Sequence, residues 1–271
     1  DSSFSFNNLN LKYYKDYYVE LRNKIEIFNG LQMYTGLTYH HRTPVKDGNT
    51  IITDGDINNI INDNYNDFTP YIGVSYTPYQ YYRMDGKNKE YVKSCYPTFS
   101  LEYARGIPGV LESIGDYERI EADIQQGINL GMLRQLNYYV SGGFFSRQRS
   151  VYFADFRYFT RRHFPDSWND GIGGEFHLLP GEWYNASNSY VQAHLMYESP
   201  FILMHFLKKD ASKHIFSERL YLSQLFTPYL PSYTEIGYGI GNHIFNIALF
   251  TGFEKGKYQG AGFRFAFELF Q

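Results

Sequence analysis

The chain has 271 residues and a net charge of −3, too small to attract a nucleic acid or an acidic partner by electrostatic steering alone. Tyr and Phe supply nearly all of its 20% aromatic residues, and both suit β-sheets and the membrane–water boundary. The longest clearly apolar run, 201–207, is far below the roughly 20 residues of a spanning helix, which argues against a helical membrane protein.

The first clear element is a β-hairpin. Phe4 and Phe6 alternate with serines in a weak first strand, and a much stronger alternation follows from residue 17 to 28. Asn29-Gly30 then supplies the two residues that most readily form a tight hairpin turn, so the sequence predicts an antiparallel sheet. The strand before the turn has an apolar face of Tyr17, Val19, Leu21, Ile25 and Ile27, and a charged face of Glu20, Arg22, Lys24 and Glu26.

Further alternating segments follow in order along the chain. A polar loop is predicted over 42–66, a second hairpin over 71–83 and 90–104 around Asp85-Gly86, and another loop over 106–115. Glu121 and Asp123 face away from the apolar side of the next strand, which returns through residues 138–144. Later strands are predicted at 190–198, 216–226, 233–240 and 244–253. Together with the ends of the chain, these segments predict about twelve strands.

The last predicted strand, 260–270, has one strongly aromatic face. Phe263, Phe265, Phe267 and Leu269 point to one side because successive strand side chains alternate, and Arg264 and Glu268 point to the other. An apolar outer face with a polar inner face is typical of a transmembrane β-barrel strand. A soluble β-sandwich can show the same alternation and stays a weaker alternative.

The stretch 146–188 breaks the alternating pattern. It is rich in aromatic residues and arginine, and so long a loop in a compact domain is uncommon and usually functional. We predict that it is a loop or plug, folded inside the barrel over 153–183 and tied to the wall by Arg157, Arg161, Arg162 and His163. The acidic partners expected on the strands are Glu20, Glu26, Glu121 and Asp123. The alternative is an external flap packed on neighbouring loops.

The sequence shows no pattern of a catalytic or metal centre. His194 and Glu198 share a strand face, but a metal needs three or four converging ligands. There is no Gly-x-Ser-x-Gly elbow or His-Glu-x-x-His pair, and Cys95 is the only cysteine. We therefore expect no cofactor, metal or catalytic residue. We expect Glu20, Arg22, Lys24 and Glu26 to form ladders of ion pairs across neighbouring strands. The predicted lumen-lining residues are Glu20, Arg22, Lys24, Glu26, Glu121, Asp123, His194, Glu198, Arg264 and Glu268.

Several stretches of the chain carry a resemblance to a known family: YYVELRN at 17–23, YP at 96–97, LEY at 101–103, 153–164, FHLL at 176–179, YNAS at 184–187, and 233–242. Together they resemble a family of outer-membrane proteins of unknown function. Its members carry an N-terminal carboxypeptidase-regulatory-like domain ahead of a C-terminal β-barrel. The resemblance implies a Gram-negative cell outer membrane, a longer polypeptide, and one barrel domain over residues 1–271. One departure is that Phe270 is out of phase with the apolar face.

These observations predict an all-β, antiparallel transmembrane barrel of about twelve strands with long external loops. We expect a channel, transport or assembly-complex component of the outer membrane, and not an enzyme. Its expected partners are membrane lipid and other outer-membrane or periplasmic proteins, with no nucleic acid. The alternative is an outer-membrane barrel enzyme whose site lies in the lumen or the loops. The sequence names neither a transported substrate nor a protein partner.

Overall fold

A computed structural model describes residues 14–44, 64–92, 94–131, 133–152, 155–157, 159, 172–179, 188–200, 202–203, 216–228, 230–242 and 245–267. Within these ranges, no helix is long and apolar enough to cross a membrane. The weak first strand at Phe4 and Phe6 lies outside the described residues, as do Arg161, Arg162, His163 and Glu268.

The described chain is all-β, as predicted, with thirteen strands. Eleven of them form one antiparallel sheet in which each strand pairs with its neighbours in chain order, and β4 and β5 form a separate small hairpin. The strands are β1 (Tyr14–Phe28), β2 (Leu31–Pro44), β3 (Tyr65–Tyr76), β4 (Tyr82–Asp85), β5 (Asn88–Tyr91), β6 (Thr98–Gly106), β7 (Asp116–Gly131), β8 (Arg134–Ser150), β9 (Ser189–Ser199), β10 (Ser217–Phe226), β11 (Tyr233–Gly241), β12 (Phe245–Glu254) and β13 (Lys257–Phe267).

The predicted first hairpin is confirmed. β1 pairs with β2 across the Asn29-Gly30 turn, with Leu21 opposite Leu37 and Ile25 opposite Met33. Gly30 has φ +85, and a Cβ there would lie 2.3 Å from the carbonyl oxygen of Thr77. The turn therefore requires glycine both for its backbone conformation and for space.

The sheet has two chemically different faces. We call the first the apolar face: Leu21, Leu249, Phe263 and Phe265 lie on it and are 65%, 58%, 77% and 59% exposed. We call the other the packed face, because the buried His194 lies there, on the opposite side of β9 from the exposed Leu195. A soluble sandwich would bury Phe265 against a second sheet, so its exposure contradicts that alternative.

Two predictions of the strand boundaries need correction. The second hairpin is two hairpins: β3 ends at Tyr76, β6 begins at Thr98, and Asp85-Gly86 turns the small β4–β5 hairpin between them. β8 continues to Ser150, so residues 146–150 belong to a strand and not to the predicted loop. In the described part of the chain β1 and β13 are the edges of the sheet, and closure into a barrel stays a prediction.

Candidate functional site: a segment packed on the polar face of the sheet

Residues 151–179 form what we call the inner segment, described at 151–152, 155–157, 159 and 172–179. Two aromatic side chains of its described part lie on the packed face. Phe159 and Phe176 are buried with Tyr190 of β9 and Tyr233 of β11. The rings of Phe159 and Tyr190 are 5.2 Å apart, and those of Phe176 and Tyr233 are 5.9 Å apart. Aromatic pairs at such distances contribute beyond the area that they bury.

A second apolar cluster holds the later part of the inner segment. Ile172 is 3% exposed and packs with side chains from four strands, and Leu178 packs against the cluster from its edge. Leu178 lies over Gly262 of β13, where an added Cβ would come within 2.7 Å of its Cδ2 atom. The strand partners of Ile172 in this cluster are Tyr139, Met196, Tyr221, Ala248 and Phe250.

At its start the inner segment is bound to β2 by a buried charge pair. The Arg42 guanidinium donates to both carboxylate oxygens of Asp155, from Nη1 at 2.9 Å and from Nη2 at 2.8 Å. Their side chains are only 4% and 8% exposed. The Arg42 guanidinium carbon also lies 5.1 Å from the ring centre of Tyr152. This two-bond geometry satisfies both charges well enough to offset part of their desolvation.

The middle of the inner segment is joined to β7 and β9. Arg157 Nη1 lies 3.6 Å from Glu121 Oε2, and its guanidinium carbon is 5.9 Å from the ring centre of Tyr190. Tyr190 donates to Glu121 Oε1 at 2.9 Å, and Arg119 donates to the carbonyl oxygen of Asp155 at 3.1 Å. Arg157, a predicted plug residue, therefore contacts Glu121, one of its predicted acidic partners.

At its end the inner segment is bound by what we call the Glu235 anchor. The carboxylate of Glu235 on β11 is 1% exposed. It accepts hydrogen bonds from the backbone N–H groups of His177 and Leu178, at 2.9 and 2.8 Å, and from the Tyr233 hydroxyl at 2.8 Å. Arg264 of β13 donates to the His177 carbonyl oxygen at 2.9 Å. The inner segment thus reaches from β2, near one edge of the sheet, to β13 at the other.

A polar cavity of about 160 Å³ lies between Arg157 and the packed face. Such a cavity has room for water and offers it hydrogen-bonding partners. Three carboxylates and three tyrosines dominate its lining, so it is a polar space beside an otherwise packed contact. The lining residues are Tyr34, Glu102, Glu121, Ala122, Asp123, Tyr139, Ser141, Arg157 and Tyr190.

The charged side chains of β1 do not form the predicted ladder of ion pairs with the neighbouring strand. Glu20 accepts from the Tyr71 hydroxyl at 2.7 Å, the Arg22 guanidinium lies over the Tyr34 ring, and Glu26 pairs with Lys89 of β5. The residues of β2 directly opposite Glu20, Arg22, Lys24 and Glu26 are the uncharged Thr38, Gly36, Tyr34 and Gln32.

A network of ion pairs occurs instead on β6 and β7. Arg105 lies 3.1 Å from both Asp116 and Glu118. Arg119 lies 3.5 Å from Glu102 and 3.8 Å from Glu121. Alternation reveals that a face is charged, but it does not reveal which neighbouring strand supplies the opposite charge.

His194 and Glu198 lie on the packed face with different partners. His194 Nδ1 is 2.8 Å from Ser223 Oγ, and its Nε2 is 3.4 Å from Gln192 Oε1. An amide thus lies where a hydrolase triad would carry a carboxylate. Glu198 accepts from Arg219 Nη2 at 3.3 Å. In the described ranges no three His, Cys, Asp or Glu side chains are grouped so that they could hold a metal ion.

Arg42, Asp155 and Glu235 were not identified as site residues from the sequence. Arg42 was assigned to the start of a loop, whereas it lies in β2. Asp155 carries no spacing signal. Glu235 offered one usable signal: it alternates with Tyr233, Gly237 and Gly239, so it is a single carboxylate on a strand face with small neighbours. Such a face leaves room for another segment of the chain.

The fold and the site define an all-β protein whose single large antiparallel sheet exposes an apolar face and packs an inserted segment on its polar face. Residues 2–240 match the model described as the C-terminal domain of a family of unknown function (DUF5686). The chain therefore belongs to that family.

The sheet also resembles a solved structure, the crystal structure of BamA from Haemophilus ducreyi lacking POTRA domains 1–3. The TM-score is 0.56 at 12% sequence identity, over 93% of this chain and 54% of that one. At this identity the likeness concerns the fold alone, and the chain spans about half the length of the structure that it matches. No curated protein matches the chain.

Proposed function

We propose that this chain is an integral protein of the Gram-negative outer membrane, in which the sheet closes into a barrel with the apolar face toward lipid. The observation that carries the proposal is the exposure of that face from one edge of the sheet to the other, from Leu21 on β1 to Phe263 on β13. Exposed apolar areas of this size mark contact with a membrane or a partner.

The arrangement of backbone polar groups favours a membrane over a protein partner. Every strand of the sheet except the two at its edges is paired on both sides, which is what a spanning structure requires in hydrocarbon. The fold of the BamA structure supports the same proposal. The backbone polar groups at the two edges would be satisfied if β1 paired with β13, or if further strands joined them.

Within this barrel the inner segment acts as a plug. Its support is the set of contacts with β2, β7, β9, β11 and β13 through Arg42, Glu121, Tyr190, Glu235 and Arg264. This segment is bound at several points, and the polar cavity beside Arg157 is an open space next to it. We propose a channel, transport or assembly role for the whole protein, in which the inner segment limits passage.

The test is conductance in planar bilayers. A variant lacking residues 153–183 is compared with the intact chain, and folding of each is checked by the shift in gel mobility on heating. We expect a larger conductance from the variant, because removal of the plug widens the pore. A folded variant with the conductance of the intact chain would contradict the plug, and failure of the intact chain to insert into bilayers would contradict the barrel.

A further inference from the structure

Two backbone N–H groups after β9, those of Ile202 and Leu203, donate to the carboxylate of Glu218 on β10. Glu218 lies on the apolar face of the sheet, because it alternates with the exposed Leu220 and Leu222. Its neighbour Arg219 points to the other side, where it donates to Asn246. We propose that Ile202 and Leu203 lie in a lipid-inserted turn whose backbone N–H groups are satisfied by Glu218; this inference rests on the proposed barrel.

Glu218 is bound in the same way as Glu235. Its carboxylate accepts from the backbone N–H groups of Ile202 and Leu203 at 3.2 and 2.6 Å, and from the Tyr238 hydroxyl at 2.7 Å. It is 1% exposed. A carboxylate on an apolar face is therefore buried and bonded to the backbone of Ile202 and Leu203 and to one tyrosine.

The position of Glu218 on the sheet makes these hydrogen bonds necessary. Across β10, β11 and β12 it follows one row of paired residues, with Ile240, Ile247 and Phe265. Ile247 and Phe265 are exposed apolar side chains, so the row faces lipid in the proposed barrel. A carboxylate without partners would be costly there, and so would backbone N–H groups outside a strand. The hydrogen bonds between Glu218 and the N–H groups of Ile202 and Leu203 help to satisfy both.

The outcome is an irregular turn that displays apolar side chains next to the sheet. Leu203 is 61% exposed, and its backbone N–H is bonded to Glu218, which shares a strand face with the exposed Leu220 and Leu222. The occupant that fits this surface is the acyl-chain region of phospholipids near the membrane boundary. A leucine projecting from a turn would then enlarge the membrane contact beyond the strands themselves.

The test is quenching of a fluorescent label by nitroxide-labelled phospholipids in phosphatidylcholine vesicles. Leu203→Cys is made in the full chain with the exposed Cys95 replaced by serine, and is labelled with bimane. Leu249→Cys, on the apolar face, is the positive control, and Lys255→Cys, in the exposed β12–β13 turn, is the aqueous control. We expect the label at 203 to be quenched at least half as strongly as the label at 249.

The controls separate the two proposals. If the label at 249 is not quenched, the proposed barrel is wrong. If 249 is quenched and 203 is no more quenched than 255, the barrel stands and the lipid-inserted turn is wrong. Where both are quenched, Glu218→Gln should lower quenching at 203 by at least twofold, because an amide cannot accept from two N–H groups with equal strength.

Quenching at 203 that is unchanged in Glu218→Gln would overturn the role of Glu218. If that variant does not fold, Tyr238→Phe takes its place, since it removes only the hydroxyl that orients the carboxylate. We expect a smaller but measurable loss of quenching at 203 in Tyr238→Phe, and none at 249. Equal loss at both sites would mean a general change in the barrel and would also overturn the inference.

Discussion

Glu235 and Glu218 perform the same local task on opposite faces of the sheet. Each is 1% exposed and accepts hydrogen bonds from two successive backbone N–H groups and one tyrosine hydroxyl. Glu235 binds the inner segment on the packed face, whereas Glu218 binds a turn on the apolar face. A single carboxylate can therefore attach irregular backbone to either side of a sheet, and the face decides whether the attached chain meets polar groups or exposed apolar side chains.

The packed face also carries a full charge pair, and breaking it should have the largest effect. Arg42→Met leaves Asp155 buried without its cation, so we expect a loss of about 3–5 kcal/mol in the free energy of unfolding. The measurement is urea unfolding followed by tryptophan fluorescence. The double variant Arg42→Met/Asp155→Leu should lose less, since the carboxylate that Arg42 binds with two hydrogen bonds is removed as well. Equal losses in both variants would contradict this account.

The apolar face should respond most strongly to charge. Phe265→Arg places a cation among lipid-facing side chains and should cost about 2–4 kcal/mol if the residue lies near the bilayer midplane. The measurement is the same unfolding titration in lipid vesicles. Phe265→Leu is the matched control and should change stability little. An arginine tolerated as well as leucine would mean that this face does not meet hydrocarbon.

The two glutamates can be compared directly by the same substitution. Glu235→Gln and Glu218→Gln each weaken the bonds to two backbone N–H groups, and each should cost about 1–3 kcal/mol. Only Glu235→Gln should raise conductance in planar bilayers, because only Glu235 binds the inner segment. A rise in conductance with Glu218→Gln, or no rise with Glu235→Gln, would contradict the claim that the Glu235 anchor holds the plug in place.

The smallest expected effects belong to the tyrosines. Tyr233→Phe and Tyr238→Phe each delete one hydroxyl that donates to a carboxylate with other donors in place, so each should cost about 0.5–1.5 kcal/mol. Unfolding titrations of both variants provide the measurement. A loss as large as that of the corresponding glutamine variant would show that the tyrosine, and not the backbone, is the main partner of the glutamate.

Much of the fold was predictable because alternation is a local signal. The Asn29-Gly30 hairpin and the apolar faces of β1 and β13 follow directly from residues two apart. The division of the second hairpin could not be predicted, because residues 77–97 contain strand-like residues such as Tyr82 and Tyr91, which pair with each other. Local patterns do not distinguish a strand that continues from one that ends and is followed by a small hairpin.

The site was predictable only in outline. The mixture of arginine and aromatic residues in 146–188 indicated a buried segment, and Arg157 contacts Glu121 as predicted. The strongest ties, Arg42 with Asp155 and Glu235 with backbone N–H groups, join residues far apart in the chain. A backbone donor carries no signature in the sequence, so the partner of Glu235 could not have been read from residue types.

The long reach of these ties bears on the order of folding. Arg42 and Asp155 are 113 residues apart, and His177 and Arg264 are 87 apart. Contacts of such separation form slowly, because the loops that they close must first lose their conformational entropy. The His177 contact also requires β13, the last strand described. We therefore expect the inner segment to dock after the sheet has formed up to β13, so that closing the interior is among the final steps of folding.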